Sequence, residues 1–517
     1  MAIDLFKLTP EQLNRFLHIQ SIVAGQEEAQ ARIRVLRDYY DGEHPILLSD
    51  RQKEFIGKEL TDGDFLFAHN TVKSVIDTLR ERLSVNGFTV NGATVGGADG
   101  GEGAQTPESQ IAQRMWGWWE ENRYDAQQIR LHRRALRDGI SFVMVDYDNV
   151  EQRPRFTLHQ AYDGKTGITY HRDPENPERC LFLNKYWYTF DPLKPGKTGI
   201  QRKTTYLEHE IRKYIMATDG QSWQEIRDPG DASWPLPWVD RDGAPLGINT
   251  IPFENPGGSE VAQIIGLQNA LNKSWLDLIA AADASGFPIL VHEQPADGGF
   301  PGDTNAVDDD DIEGADEFVV APGRMLDVDG KVYRIEGANL SQLIDTIHVI
   351  VETIAGISRT PQYYLRPVGG DVPSGEALKQ LESGLVARAV ERQLIFGQSW
   401  ADVMMMAYKV AQTFGPDIPD VPRLRVETTW DAAETRQDLL EAQAAEAHKR
   451  LNVPDEQIWQ MLGYDAEQIA KWKRTAQSDQ AATIANVAQA LQARQTTPAG
   501  AGGTAAQTFN GANGVVS

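Results

Sequence analysis

Ala338-Asn-Leu-Ser-Gln-Leu-Ile-Asp-Thr-Ile-His-Val-Ile-Val-Glu-Thr-Ile-Ala-Gly-Ile357, followed by the loop Arg359-Thr-Pro-Gln-Tyr-Tyr-Leu-Arg-Pro-Val-Gly-Gly-Asp-Val-Pro373, opens the stretch that decides the fold. The first segment is an amphipathic helix. Leu340, Leu343, Ile344, Ile347, Ile350, Val351 and Ile354 fall on one face, while Ser341, Asp345, His348 and Glu352 fall on the other at spacings of four, three and four. After the Gly/Pro loop a second helix starts at Ser374 and stops at Gly415-Pro416. At 1.5 Å per residue it spans about 60 Å. A helix of that length exceeds the usual globular range and points to a large architectural part.

Working outward, 517 residues allow more than one domain or one large mixed body, and 41% hydrophobic content is enough for a sizeable core. The net charge is −24, from 50 basic and 74 acidic residues. That excludes tight wrapping of nucleic acid, which needs clustered Lys and Arg, but not a passage through which DNA slides. The one cysteine, Cys180, leaves no intrachain disulfide. The N-terminus carries an acid at once and lacks a signal-like apolar run. No stretch reaches the ~18 apolar residues of a membrane span, so a cytoplasm-like solvent is expected.

Residues 10–39 read as helix, ended by Asp41-Gly42, and Asn70–Leu83 as a second with Val72, Val75, Ile76, Leu79 and Leu83 on one face. Residues 91–107 are Gly-rich. Residues 108–137 read as one helix, with Trp116, Trp118 and Trp119 as anchors and Gly139 as its stop. Ile140–Tyr147 reads as a strand. From 154 to 227 short strands alternate with turns: Arg155–His159, Ile168–His171, Tyr186–Phe190, Thr204–Ile211 and Lys213–Thr218. Residues 228–258 read as a connector. Ser259 then caps a helix to about Ala284, packed through Val261, Ile264, Ile265, Gln268, Leu271, Trp275, Leu278 and Ile279. Residues 288–337 are strand and loop, Arg423–Thr428 a strand, and 434–449, 455–462 and 466–474 helices. The tail from about 478 lacks the apolar content to fold alone.

Catalytic patterns fail on spacing. Gly164-Lys-Thr166 and Gly196-Lys-Thr198 resemble the end of a phosphate-binding loop. The required earlier glycine is replaced by His159 and Asp191, so both read as turns. His209-Glu210 and His292-Glu293 lack the second histidine of a zinc protease. No nucleophile elbow is present. Asp308–Asp311 has the oxygen chemistry for a divalent cation, but a run of like charge reads first as a solvated loop. The three tryptophans read as an anchor and not as a stacking platform, and Met404-Met-Met406 as adaptable core packing. Residues 455–474 carry Lys471, Lys473 and Arg474, but Asp455, Glu456, Asp465 and Glu467 open the two helices and disfavour insertion into a DNA groove.

Several local strings resemble the portal proteins of tailed phages, in the group related to the portal of phage SPP1. They are Tyr39-Tyr40-Asp41-Gly42-Glu43-His44; the helix and strand from Asn70 to Phe88, with Arg82-Leu83 and Gly87-Phe88; Ile354-Ala-Gly-Ile-Ser-Arg-Thr-Pro361; Pro373-Ser-Gly-Glu-Ala-Leu378; and Gln393…Phe396-Gly397…Trp400. Their order and spacing over about residues 35–475 carry the likeness. The resemblance implies an α+β, mostly helical ring subunit with wing, stem, clip and crown regions and one very long helix. It assigns 1–258 to the wing, 259–287 and 338–358 to two stem helices, 288–337 to the clip between them and 359–373 to a loop in the DNA channel. Residues 374–430 become the long wing helix and strand, 431–475 the crown, and 476–517 a low-complexity tail, partly disordered.

The same resemblance implies a dodecameric ring at one capsid vertex of the virion, assembled in host cytoplasm. Double-stranded DNA passes through it without sequence specificity during packaging and ejection. Implied partners are the terminase large subunit, a head–tail adaptor, and the major capsid and scaffold proteins. No catalytic residue, cofactor, metal or membrane is expected. A stem helix needs one apolar stripe for its neighbours and one polar stripe for the channel. Lys273, Asp277, Ser341, Asp345, His348 and Glu352 are the channel-lining candidates, with Gln263 and Asn269 beside them. Acidic lining repels DNA in a narrow low-dielectric passage. The loop candidates are Arg359, Arg366, Gly369, Gly370 and Asp371. The two glycines allow movement, and the two arginines can touch phosphate transiently. The alternatives are an acidic metal-dependent hydrolase at Asp308–Asp311 and another structural ring or connector, the latter normally much smaller.

Overall fold

The computed structural model describes residues 12–13, 15–16, 27–45, 69–96, 106–173, 175–189, 199–217, 222–228, 230–231, 233–286, 290–293, 331–334, 340–365, 375–416, 418–434 and scattered positions from 446 to 458. The loop candidates Arg366, Gly369, Gly370 and Asp371, the Asp308–Asp311 run, the Gly196–Thr198 turn and the tail lie outside the described residues. Among the described residues helix exceeds strand about two to one, 47% against 24%, so the fold is mixed α+β. The chain divides into two units, Met1–Thr435 and Arg436–Ser517. In the second, Arg450 pairs with Glu446 one helical turn earlier.

The first unit opens with α1 (Glu27–Asp41), ended by Gly42 at φ +90°. In α2 (Thr71–Arg80) Val72, Val75, Ile76 and Leu79 are buried, as their spacing predicts, and the Asn70 side chain caps the helix by accepting from the Lys73 amide. β1 (Val85–Val90) pairs antiparallel with β2 (Ala93–Gly96). Residues 108–137 do not form one helix. α3 (Pro107–Glu121) and α4 (Tyr124–Asp138) are separated at Asn122-Arg123, where Arg123 is left-handed at φ +57°. Asn122 caps the end of α3, its side chain donating to Trp118 O, and it also donates to Pro154 O and accepts from the Phe156 amide, docking the break on the next hairpin. Gly139 ends α4 in the left-handed region at φ +87°. A Cβ there would lie 3.1 Å from the Ser259 amide, so the stop is also a close approach.

β3 (Ile140–Asp148) and β4 (Arg153–Gln160) form a hairpin, and β11 (Thr250–Glu254) joins β3 from the far side of the sequence. The 228–258 connector therefore contains a sheet strand, disguised by Pro252; a proline is tolerated there because β11 is an edge strand. The larger sheet runs β10-β8-β7-β6-β5, with β9 on β8. Its members are β5 (Gly167–Arg172), β6 (Cys180–Thr189), β7 (Ile200–Tyr206), β8 (Glu210–Met216), β9 (Trp223–Glu225) and β10 (Leu236–Pro237). The expected strand Thr204–Ile211 straddles a turn, closed where the Leu207 amide donates to Glu210 O. The Gly164–Thr166 segment is a turn, with Asp163 Oδ1 accepting from the Lys165 and Thr166 amides.

α5 (Ile265–Gly286) begins five residues later than the Ser259 cap predicts. Ser259 Oγ does accept from the Val261 amide, but it also donates to Arg137 O. The Glu260 amide bonds to Leu136 O, so these residues follow the end of α4 before a helix can start. β12 (Leu290–Glu293) pairs antiparallel with β13 (Lys331–Arg334). Then come α6 (Leu340–Ser358), the four-residue α7 (Gln362–Leu365), the 40-residue α8 (Gly375–Phe414) and β14 (Val426–Trp430). β14 returns to pair with β1, so α8 lies under both three-stranded sheets.

The centre of the core is aromatic. Trp400 of α8 meets Trp119 at 4.8 Å, Phe253 at 4.7 Å and Tyr124 at 5.5 Å between ring centroids. Trp118 and Trp119 are buried, Trp116 packs against the core, and Met404 and Met406 are buried beside them, so these residues serve packing as the sequence indicates. His132 stacks on Phe396 and accepts from the Trp400 indole N–H at 3.1 Å. Its other ring nitrogen contacts Leu83 O, so the neutral ring is a fixed strut.

Two apolar expectations change. α6 is long and apolar enough, by length and composition alone, to cross a membrane, and only 22% of it is buried. Counting contiguous apolar residues missed this, because polar residues every three or four positions interrupt the run. Ile344, assigned to the packed stripe, is 40% exposed.

Burial holds the His132 proton affinity down, from an ordinary value of 6.5 to about 3. Burial does the same for His159, to about 3. Between those values the unfolded chain binds protons that the native chain refuses. Stability from these residues is full above pH 6.5 and falls as pH drops toward 3. The melting temperature should decline steadily between pH 7 and pH 4 in a calorimetric series, and the slope should be shallower in His159→Gln.

Candidate channel-lining helices and their roots

α5 and α6 pack side by side. On α6, Ile347, Val351 and Ile354 are buried, while Ser341, Asp345 and Glu352 are exposed and His348 is half-buried. On α5, exposed Lys273 pairs with Asp277 one turn later at 2.7 Å. An exposed i,i+4 pair contributes only tenths of a kcal/mol and leaves both groups hydrated. Glu352 accepts from Gln362 Nε2 at 3.2 Å, linking α6 to α7. Gln263 is exposed, but Asn269 accepts from Tyr39 Oη at 2.7 Å within the subunit. On α6 the structure thus exposes Ser341, Asp345 and Glu352 and half-buries His348, and it keeps Lys273 and Asp277 together on α5. The two helices also expose no single continuous polar stripe: Ile344, Val349 and Ile357 are exposed on α6 as well.

A polar ladder inside the subunit fixes α5. Gln268 Oε1 accepts from the Thr71 amide and hydroxyl, at 3.1 and 2.6 Å, while its Nε2 donates to His69 O at 2.7 Å. Asn272 one turn on accepts from the His69 amide and from Gln268, and its amide meets His44 Nδ1 at 2.8 Å. Each buried polar atom has a partner, so the ladder sets the register of α5 against α1 and α2 and not merely its burial. Gln268 was legible only as a member of the packed stripe; its spacing of four from Asn272 was the available signal.

The root of α5 meets α8 through a buried charge cluster. Glu260, with a side chain 3% exposed, accepts from Arg388 at 2.5 Å and from Arg392 at 2.8 Å. Asn255 closes the cluster, donating to Glu260 and to Gly258 O and accepting from Arg392 Nε. Arg388 and Arg392 lie one turn apart on α8. Nothing in the sequence pattern linked Glu260 to residues more than a hundred positions away.

Arg359, the described loop candidate, is exposed and left-handed at φ +47°, just after α6. It lies against Gly384 of α8, where an added Cβ would be 3.5 Å from Arg359 Cβ. Tyr363 and Tyr364 of α7 both donate to Glu382, the second at 3.2 Å, and Arg82 pairs with the same carboxylate at 3.0 Å. Among the described residues no group of three or more His, Cys, Asp or Glu is arranged to hold a metal.

A model of the family described as Phage portal protein, SPP1 Gp6-like, matches residues 19–482. The chain belongs to that portal protein family. It is similar to the Portal protein of Mycobacterium phage L5, 23% identical over 496 residues and covering 93% of this chain and 92% of that one. It is likewise similar to the Portal protein of Mycobacterium phage D29, 22% identical over 477 residues and covering 87% of each. Family membership carries the general portal role: a structural component of the tailed-phage virion, built as a homo-oligomeric ring. The metal-dependent hydrolase is not favoured.

Removing one partner of a buried ion cluster leaves the others charged and unpaired, at a cost of about 3–5 kcal/mol. Glu260→Ala should lose stability on that scale in urea unfolding. Asp277→Ala, on an exposed pair, should change it by less than about 1 kcal/mol.

Proposed function

We propose that this chain forms a dodecameric portal ring at one capsid vertex, assembled in the host cytoplasm, through which double-stranded DNA is packaged and later ejected. The family match over residues 19–482 carries this reading. The paired helices α5 and α6 are the stem, and Asp345, His348, Glu352, Ser341, Lys273 and Asp277 are its channel lining. Residues 288–337 form the clip between them, its ends drawn together by the β12–β13 ladder. Residues 359–373 form the channel loop, with Arg359, Arg366, Gly369, Gly370 and Asp371 as its working residues; α8 and the sheets form the wing; 431–475 form the crown.

The ring performs no chemistry itself. ATP hydrolysis belongs to the terminase large subunit, which docks on the clip and is later replaced by a head–tail adaptor. Scaffold and major capsid proteins surround the wing. Asp345 and Glu352 present carboxylates about two turns apart on one face of α6, so DNA in the passage meets like charge and slides without adhering. No sequence-specific contact is required.

Light scattering with negative-stain imaging should give a ring of about a dozen subunits with a central hole; a particle that stays monomeric even with scaffold protein present would overturn the ring. Asp345→Lys with Glu352→Lys should leave ring mass unchanged and slow DNA translocation in a packaging assay, because the passage then attracts phosphate. Unchanged translocation would remove these residues from the lining.

A further inference from the structure

Between the end of α6 and residue 365 the chain attaches to the N-terminal part of α8 at more than one point. Arg359 turns in the left-handed region over Gly384. Two residues earlier in α8, Glu382 receives the phenols of Tyr363 and Tyr364, whose rings lie 4.4 Å apart. Leu365 is buried in the core. Arg82, from just beyond α2, completes the carboxylate at 3.0 Å and donates to Ala433 O at 2.7 Å. The Arg82 and Glu382 side chains are 11% and 12% exposed, so water does little of this work. One carboxylate therefore joins four parts of the chain: α7, α8, the end of α2 and the segment after β14.

α7 has four residues, far too few to hold a helical turn by itself. Its position must come from its side-chain attachments, and two of these end on Glu382. We propose that Glu382 is the positioning residue that holds Arg359–Leu365 against the long helix, and thereby sets where the chain leaves for residues 366–374 and returns to α8. The consequence for packaging rests on the reading of 359–373 as the channel loop. Burial and the adjacent carboxylate push the Tyr363 phenol well above its ordinary range, so it remains a donor at any working pH. Arg82 holds the other oxygen of the same carboxylate, Oε2.

The test is amide hydrogen exchange by mass spectrometry on the purified full-length ring, for E382Q, Y363F/Y364F and the triple variant. In E382Q an amide nitrogen confronts Arg82 where an oxygen stood. Exchange in peptides covering 359–365 should accelerate roughly ten- to hundredfold, as loss of hydrogen bonds to a charged acceptor implies. Peptides from the Trp400 region of α8 and from β3 should be unchanged. Y363F/Y364F removes the phenol bonds to Oε1 and E382Q the Arg82 pairing at Oε2; because both act through one side chain, the triple variant should fall short of the sum of the separate effects. Acceleration spread over the whole body, additive effects, or no acceleration at 359–365 would each overturn the proposal.

Packaging by the same rings separates this proposal from the loop reading. A drop in E382Q that matches a drop in G369V/G370V supports both. A drop in G369V/G370V with normal packaging in E382Q overturns the positioning role. Normal packaging in both overturns the loop reading, while local acceleration at 359–365 still supports the hold on α7.

Discussion

Glu260 is the constraint on which the arrangement depends. A carboxylate taken out of water is tolerated only where its charge and its lone pairs are all answered. Here two guanidiniums from successive turns of α8 and the Asn255 amide answer them. The same residue's backbone is tied to the end of α4. The start of α5, the end of α4 and the first half of α8 are thereby brought to one point with almost no freedom to slide. A hydrophobic patch would tolerate a shifted register; a carboxylate between two arginines does not.

Farther along, α8 changes character. Around Glu382, Arg388 and Arg392 it is held by directional polar contacts, whereas from Phe396 through Trp400, Val403, Met404, Ala407 and Val410 it is held by close packing. The transition falls at Gly397, where an added Cβ would stand 3.0 Å from the Trp430 indole nitrogen. The helix thus joins a polar junction, where the root of α5 and the short α7 meet it, to an aromatic body. His132, fully buried in that body, enters it neutral.

Helix-length features were legible because amphipathic spacing survives in the sequence: α2, α6 and α8 lie within a residue or two of their expected bounds, apart from the last turn read onto α2. What failed were boundaries decided by distant partners. The α3–α4 break depends on Asn122 finding β4, the late start of α5 on Ser259 finding Arg137, and β11 on an edge place beside β3. None of these has a local signature. A polar alternation on α6 was legible, and of its members Ser341, Asp345 and Glu352 are exposed while His348 is half-buried. Glu260 and Glu382 were not legible, because an acid on a polar face reads as solvated until its arginine is seen. The portal likeness itself lay in short strings whose order, and not their individual strength, held the information.

The β12–β13 ladder has a different kind of consequence. It fastens both ends of an excursion at one place, Leu290 opposite Arg334 and Glu293 opposite Lys331. The entropic cost of closing a loop grows only with the logarithm of its length. Each doubling of the number of residues between the two strands would cost the ladder only about 0.6 kcal/mol in closure entropy. The ladder is thus a seam in the chain, where length can change without retuning the helices that flank it.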